Sequence, residues 1–222
     1  SMRVQQTDFQ GGIRMQYHGG SPLATLYTML PIFCLYFWRL VWPAGLSAVY
    51  APTVHTEPDV VVIAAGLFLA LIAWGGIRLF RTDRRLGFWM LFFWIGLIPY
   101  AQIVPIQWLI ADRYINVSII GVAAMAGAAI VYLRNRHGTG AARILLVSVA
   151  IWLLALSFAS FQRVGAWKNS LSLWEDATTK TPGSAYAWEH LGETYRFQGK
   201  YEAARQAYEQ GLKLNPLNTE IL

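Results

Sequence analysis

The sequence predicts an all-α protein, in which about five transmembrane helices are followed by a truncated solenoid of helical hairpins. Of its 222 residues, 55% are hydrophobic and only 14% are charged, and the mean hydropathy is +0.37. A soluble domain carries about 25% charged residues. Five apolar runs also reach the length of roughly 20 residues that a bilayer-spanning helix needs. Residues 162–222 are instead polar and contain all four lysines.

Five segments qualify as membrane spans. The first is interrupted by Pro31, and the second begins at Glu57-Pro58-Asp59, where a proline and acidic residues favour a helix start. The third is rich in aromatic residues and contains Pro99 and Pro105. The predicted spans are residues 22–42, 59–80, 86–104, 115–133 and 143–161.

The fourth segment is rich in small residues. Gly121 lies near its start, and two small pairs follow at a spacing of four, Ala123 with Gly127 and Ala124 with Ala128. Small residues at this spacing allow two helices to approach closely in lipid. We therefore expect a close helix contact along this face.

Lysine and arginine alternate between the predicted loops. The first loop contains none, the second contains four, the third contains one and the fourth contains three; they are Arg78, Arg81, Arg84, Arg85, Arg113, Arg134, Arg136 and Arg143. Cytoplasmic loops are enriched in these residues. The pattern predicts that the second and fourth loops are cytoplasmic and that the C-terminal tail is exoplasmic. In a bacterial inner membrane, which we expect here, the tail would be periplasmic.

The tail carries the spacing of a 34-residue helical hairpin, counted from Ala185. Small residues occupy the positions where the two helices come closest, and large side chains fill the space between the helices. The residues expected to pack in this way are Trp188, Leu191, Gly192, Tyr195, Ala204, Tyr208 and Pro216. This pattern resembles the tetratricopeptide repeat (TPR), and Gly211 departs from it where alanine is usual. We predict a full repeat over 185–218, and the second half of a preceding repeat over 165–182.

One and a half repeats are fewer than the three or so that a solenoid needs for stability. We therefore expect the chain to come from a longer protein. Residues 1–21 have no apolar signal-peptide core, and we expect them to begin in the middle of that protein.

The first helix of the full repeat offers a candidate binding face for a protein or an extended peptide. Five of its side chains are expected on the concave side of the solenoid: Tyr186, Glu189, Glu193, Arg196 and Phe197. The alternative is an ordinary solvated helix face, since surface charges usually contribute little.

Three charged residues near the predicted outer membrane surface need a reason, because charges are costly in a bilayer. Arg39 and Arg113 could each bind a lipid phosphate through charge-assisted hydrogen bonds. Asp112 could orient Arg113 or cap the helix that follows it. The alternative is that Arg39 extends to the headgroups and that Asp112 and Arg113 form a helix cap and a membrane anchor.

Three stretches carry a family resemblance: "VWPAGLSAVY", "FWMLFFWIGLIPYAQIVPIQWLIADRYINVSIIG" and "WKNSLSLWEDATTKTP". Over residues 20–222 the chain resembles the C-terminal half of the transmembrane-and-TPR protein O-mannosyltransferases, and more closely the bacterial membrane TPR proteins related to them. The most specific piece is Asp112-Arg113-Tyr114, which adds Tyr114 to the candidate lipid-phosphate site. The resemblance implies glycosyltransferase architecture of the GT-C type, a polyprenyl-phosphate sugar donor, and TPRs on the side where transfer occurs.

The resemblance also implies that the catalytic acid lies in an external loop closer to the N-terminus than this stretch. We therefore assign no catalytic residue, and we expect this chain to be inactive alone. Glu57 and Asp59 are interpreted as helix-start residues. The sequence contains no metal-ligand cluster, and it favours no cofactor beyond the possible sugar donor. Nucleic-acid binding is disfavoured because the excess of 12 arginines over 5 acidic residues falls in the apolar residues 1–163.

Two functions remain open. In the first, the chain is part of a glycosyltransferase, whose spans help to bind a polyprenyl-phosphate sugar and whose TPRs recruit the protein acceptor. In the second, the spans only anchor a non-enzymatic TPR scaffold in the membrane.

Overall fold

The chain is helical throughout the part that the computed structural model describes, which is residues 17–106 and 108–216. No β-strand occurs in these residues, which confirms the all-α prediction. The α-helices are α1 (Pro22–Val41), α2 (Val60–Thr82), α3 (Arg84–Leu97), α4 (Asn116–Val164), α5 (Ser170–Lys180), α6 (Ala185–Phe197) and α7 (Tyr201–Leu214). Described residues 17–43 and 54–159 form one compact unit, the membrane unit, and residues 44–53 and 160–216 form a second, the repeat unit.

Four helical stretches among the described residues are long and apolar enough to cross a membrane. They are Pro22–Val41, Val60–Thr82, Asp112–Tyr132 and Arg134–Trp167. Large apolar side chains point outward from them; Leu67 is 69% exposed and Leu154 is 70% exposed. Exposed apolar surface on this scale is unfavourable in water and suits lipid. The chain is accordingly a membrane protein.

Acidic and hydroxyl side chains define where the first three helices begin. The carboxylate of Asp59 accepts a hydrogen bond of 2.9 Å from the Val62 amide, and Asp83 accepts one of 2.9 Å from the Arg85 amide. These bonds satisfy amides that have no partner inside the helix. Asp59 is thus the cap of α2, in agreement with the helix start expected from its sequence.

The structure differs from the prediction over the third segment. Residues 86–104 were expected to form one span, but α3 ends at Leu97, and only a short 3₁₀ turn, Ile98–Tyr100, follows. Proline lacks an amide hydrogen and disfavours helix at the residue before it. Pro99 and Pro105 therefore prevent the helix from continuing. At 1.5 Å per residue, the 14 residues of α3 span about 21 Å, which is short of the ~30 Å hydrocarbon core.

The fourth and fifth predicted spans are the two arms of α4, which is interrupted at Gly138 with a backbone φ of 81°. A close helix contact occurs on the first arm at Gly121, and not at the predicted pair of Ala123 and Gly127, which are both exposed. A Cβ atom at Gly121 would lie 2.7 Å from the Trp89 carbonyl oxygen of α3, whereas a Cβ at Gly127 would meet nothing within 4 Å. The fully buried Ser118 reinforces this contact by donating a 2.9 Å hydrogen bond from its Oγ to the carbonyl of Phe93.

In the repeat unit, α6 and α7 pack as the predicted hairpin. The contact is close because Gly192 has no side chain; a Cβ there would lie 2.6 Å from the Tyr208 ring. Leu191 and Ala204 are buried on either side, at 4% and 3% exposure. Gly199 adopts a φ of 74° at the turn between the helices, which glycine tolerates readily.

Candidate functional site

An ion pair joins the end of α1 to Asp112, the first residue of the Asp112-Arg113-Tyr114 motif. The Arg39 Nη1 atom donates a 2.8 Å hydrogen bond to Asp112 Oδ1, and the Arg39 side chain is only 8% exposed. The Asp112 side chain is 36% exposed, so the loss of hydration falls mainly on Arg39. Arg39 thus has a partner within the protein that the sequence did not indicate, and its expected contacts with lipid stay predictions.

Asp112 has a role that was not expected from the sequence. It begins a 3₁₀ turn, Asp112–Ile115, whose N-cap is Ala111 and which has no side-chain cap. The carboxylate accepts a hydrogen bond from Arg39, 73 residues away along the chain, and its expected role in orienting Arg113 stays a prediction. Sequence spacing gives no signal for such a distant partner.

Arg113 is the exposed member of the motif. Its guanidinium carbon lies 5.5 Å from the centre of the Tyr114 ring. Among the described residues, no carboxylate forms a salt bridge with it. Because Asp112 is paired with Arg39, the positive charge of Arg113 stays available for an anion.

Tyr114 lies beneath this arginine and is 5% exposed. Its ring stacks on Tyr100 at 4.0 Å between centroids with an interplanar angle of 10°. Its hydroxyl donates a 3.2 Å hydrogen bond to the Trp108 carbonyl. A second tyrosine, Tyr36 of α1, accepts a 3.4 Å hydrogen bond from the Ala111 amide. Two tyrosine hydroxyls therefore hold the backbone just before the motif, at Trp108 and Ala111.

One residue next to the Asp112-Arg113-Tyr114 motif, Gln102, was not predicted from the sequence. It is 2% exposed, and its side-chain amide bonds the backbone at Ile106 and at Trp108. The available signal was a single amide between Pro99 and Pro105 in an otherwise apolar stretch. A buried amide is costly unless it is hydrogen-bonded, so its presence indicates a specific partner.

The predicted concave face of the TPR lies partly in a groove of about 510 Å³ between α5 and α6. Glu193 and Phe197 line this groove together with Trp174 and His190. Glu193 Oε2 lies 3.2 Å from His190 Nδ1. The groove therefore combines apolar rings with one carboxylate.

The other predicted face residues are arranged differently. Tyr186 packs edge-on against Trp174 at 5.8 Å, so part of its ring supports α5. Arg196 lies 5.1 Å from the Phe197 ring and 4.0 Å from a Glu193 oxygen. Glu189 is half-buried on the same helix.

The remaining predicted packing residues lie at the ends of the hairpin. Trp188 Nε1 donates a 2.9 Å hydrogen bond to the carbonyl of Pro182, which joins α6 to the preceding turn. The Tyr195 hydroxyl donates one of 2.9 Å to Glu175. Burial and this hydrogen bond both raise the pKa of Tyr195. Pro216 is exposed beyond the end of α7, where it follows the helix rather than packing in its core.

A joint within the repeat unit connects residues 44–53 to α5. Lys180 Nζ donates a 3.1 Å hydrogen bond to the Leu46 carbonyl, and Thr181 Oγ1 donates one of 3.1 Å to the Val49 carbonyl. Lys180 also pairs with Asp176 at 2.8 Å, and Asp176 pairs with Arg163 near the end of α4. The start of the repeat unit is thus held by an ion-pair network.

This network predicts an acid-sensitive joint. Burial favours the neutral form of Asp176, but hydrogen bonds from Arg163 and Lys180 outweigh it and lower the pKa of Asp176. The stabilisation is therefore present above the ordinary aspartate pKa of about 4 and is lost as pH falls through the lowered value. We expect hydrogen exchange in α5 to accelerate below about pH 4, after correction for the intrinsic exchange rate at each pH.

Asp176→Asn should remove that acid step and speed exchange in α5 already at neutral pH. Glu202→Gln, at an 81% exposed side chain, is the matched control and should leave the α5 profile unchanged. An Asp176→Asn profile identical to wild type would exclude a stabilising role for the network.

The first loop contains two acidic residues, Glu57 and Asp59. Asp59 caps α2, and its carboxylate also lies 2.6 Å from His55 Nδ1. The hydrogen bond from the Val62 amide lowers the pKa of Asp59 most, and the hydrogen bond with His55 lowers it further. Within residues 17–106 and 108–216, no three histidine, cysteine or acidic side chains are grouped as metal ligands.

Comparisons with known proteins bear on both units. The tetratricopeptide repeat family model matches residues 185–218. Protein O-mannosyl-transferase Tmtc2 of Drosophila melanogaster is 25% identical over 116 residues, which is 52% of this chain. The chain spans only 12% of the length of that relative. No solved structure matches the chain significantly. The chain is thus a TPR-containing membrane protein with a distant similarity to a protein O-mannosyl-transferase.

Proposed function

We propose that this chain is the membrane-embedded and repeat-containing part of a GT-C-like glycosyltransferase. In this proposal, Arg113 binds the phosphate of a polyprenyl-phosphate sugar donor, and the exoplasmic TPR recruits the protein acceptor. The observation that carries it is the exposed guanidinium of Arg113, which lies beside the ion pair of Arg39 and Asp112. The similarity to Tmtc2, named a protein O-mannosyl-transferase, agrees with this chemistry.

The charges of the cluster explain why Arg113 suits a lipid phosphate. Arg39, Asp112 and Arg113 sum to +1, and Arg39 neutralises Asp112. The net positive charge therefore lies on Arg113. A guanidinium can offer two parallel N–H groups to a phosphate, and Tyr114 limits the orientations that the side chain adopts.

The chain's own residues supply binding and orientation in this proposal. Asp59 is occupied as a helix cap, and Asp112 is paired with Arg39, so neither is suited to serve as the base that activates an acceptor hydroxyl. The catalytic carboxylate would then come from a part of the longer protein outside this sequence.

The contact between residues 44–53 and the end of α5 supports an exoplasmic TPR. Residues 44–53 belong to the first predicted loop, which has no lysine or arginine, and they contact α5 directly. That contact requires the loop and α5 to share one side of the membrane. Between them, α2 and the two arms of α4 make three crossings. The proposal therefore requires α3 and residues 98–111 to make a fourth crossing together.

Arg113→Ala should weaken binding of a polyprenyl monophosphate about 10- to 100-fold, because a hydrogen bond to a charged group contributes about 1.5–3 kcal/mol. The measurement is equilibrium binding to the purified chain in detergent micelles. The polyprenol that lacks the phosphate is the matched ligand, and its affinity should not change.

Arg113→Lys is the matched variant, since it keeps the charge and loses the planar fork. We expect a smaller loss than for alanine. Equal phosphate affinity in wild type and Arg113→Ala would contradict the proposed role of this residue.

A second candidate function is a membrane-anchored TPR scaffold. The groove between α5 and α6 favours it, because that groove needs no transfer chemistry to bind a protein. An acidic residue pair in an external loop upstream of this stretch, together with glycosyl transfer by the longer protein, would favour the enzyme. Partner binding without transfer would favour the scaffold.

A further inference from the structure

Gln102 has an unusual backbone conformation for its residue type. Its φ is 58°, and among the described residues it is the only non-glycine residue with a positive φ. This left-handed region is disfavoured for residues with a Cβ atom. Such a residue persists only where its surroundings hold it, and these positions concentrate at functional sites.

The side chain of Gln102 closes a short loop of non-helical backbone. Its Oε1 accepts a 2.8 Å hydrogen bond from the Ile106 amide, and its Nε2 donates one of 3.1 Å to the Trp108 carbonyl. One amide group thus satisfies two backbone groups on the far side of the loop. No helix or strand supplies partners for these groups in this segment.

The Trp108 carbonyl connects this loop to the motif. It accepts hydrogen bonds from both Gln102 Nε2 and the Tyr114 hydroxyl. Tyr114 in turn stacks on Tyr100, two residues before Gln102. The loop and the motif therefore share one acceptor and one aromatic stack.

Two other side chains lie within hydrogen-bond distance of backbone carbonyls in this loop. His18 Nε2 lies 3.1 Å from the Ile106 carbonyl, and the Tyr17 hydroxyl donates a 3.3 Å hydrogen bond to the Ile103 carbonyl. Non-helical backbone is tolerated at membrane depth only where its polar groups have such partners. Gln102 differs from these residues because it alone links the loop to the acceptor of Tyr114.

We propose that Gln102 is a positioning residue that fixes Arg113 for the lipid phosphate. This inference rests on the proposed function of Arg113. Gln102 acts through the Trp108 carbonyl, which holds the Tyr114 hydroxyl, and Tyr114 supports the guanidinium of Arg113. Without the amide, residues 103–108 lose the two hydrogen bonds that set the position of Trp108.

The test uses Gln102→Gly in the full chain. Glycine adopts the left-handed conformation freely, so this variant removes the hydrogen bonds together with the backbone strain and should fold. We expect faster hydrogen exchange over residues 103–115 with unchanged exchange over 185–214. We also expect about a 10-fold loss of affinity for a polyprenyl monophosphate, with unchanged affinity for the polyprenol.

Gln102→Leu is a second variant, which keeps the side-chain volume and the strain but cannot bond the backbone. It should show the same loss of phosphate selectivity and a lower thermal midpoint. Gln198→Gly, at an exposed glutamine after α6, is the matched control and should leave exchange over 103–115 and both affinities unchanged.

Two outcomes for Gln102→Gly would overturn the inference: exchange over 103–115 as in wild type, or an equal loss of affinity for both lipids. The second would indicate a general structural role. Failure of the proposed function has a different result. Arg113→Ala would then bind the polyprenyl monophosphate as tightly as wild type, whether or not Gln102→Gly changes hydrogen exchange.

Discussion

Asp112→Ala is expected to lower the free energy of unfolding by about 1–3 kcal/mol, the cost of leaving a buried hydrogen-bond donor without its partner. The reason is the burial of Arg39, whose side chain is 8% exposed and would lose its salt bridge to Asp112. The measurement is thermal unfolding of the purified chain in detergent, followed by circular dichroism. We expect the midpoint to fall by several degrees.

The double variant Arg39→Met with Asp112→Ala is the informative control. It removes both charges, and an apolar side chain of similar length is left in the buried position, so most of the lost stability should return. A double variant that is less stable than Asp112→Ala would show that Arg39 stabilises the fold without its carboxylate partner. An unchanged midpoint in Asp112→Ala would exclude a stabilising ion pair.

The second large effect is expected at Gly121. A Cβ added there would lie 2.7 Å from the Trp89 carbonyl oxygen, and backbone atoms of α3 cannot move aside as a flexible side chain can. Gly121→Ala should therefore destabilise the membrane unit by about 1–3 kcal/mol, although alanine is the better helix former.

Gly127→Ala is the matched control, six residues further along the same helix arm. A Cβ there meets nothing within 4 Å, so only the gain in helix propensity remains. We expect Gly127→Ala to be neutral or to stabilise by up to about 1 kcal/mol. Thermal midpoints that shift in the same direction for the two variants would contradict the close contact between α3 and α4.

The sequence was sufficient where a local pattern determines the structure. The apolar run of residues 59–80 and the acidic start at Asp59 predict α2 and its cap. The spacing of Gly192 and Tyr208 predicts the α6–α7 hairpin, because the absence of a side chain at one position matches a ring at the other. Each of these features depends on residues within one helix or one hairpin.

The sequence was insufficient where the partner lies far away along the chain. The pairing of Asp112 with Arg39 spans 73 residues, and the cap that local spacing suggested for Asp112 is absent. The sequence showed the two prolines after α3, but it did not predict that the helix would end at Leu97. The left-handed conformation of Gln102 also has no local signal, because glycine and asparagine are the usual residues there.

The joint between residues 44–53 and α5 has a mechanical consequence. A protein that pulls on the TPR would load the membrane helices through two connections, the covalent one into α4 and the two hydrogen bonds to Leu46 and Val49. The second connection leads directly back to the last turn of α1, which carries Arg39. Tension on the repeat unit would thus reach the helical turn that carries the partner of Asp112.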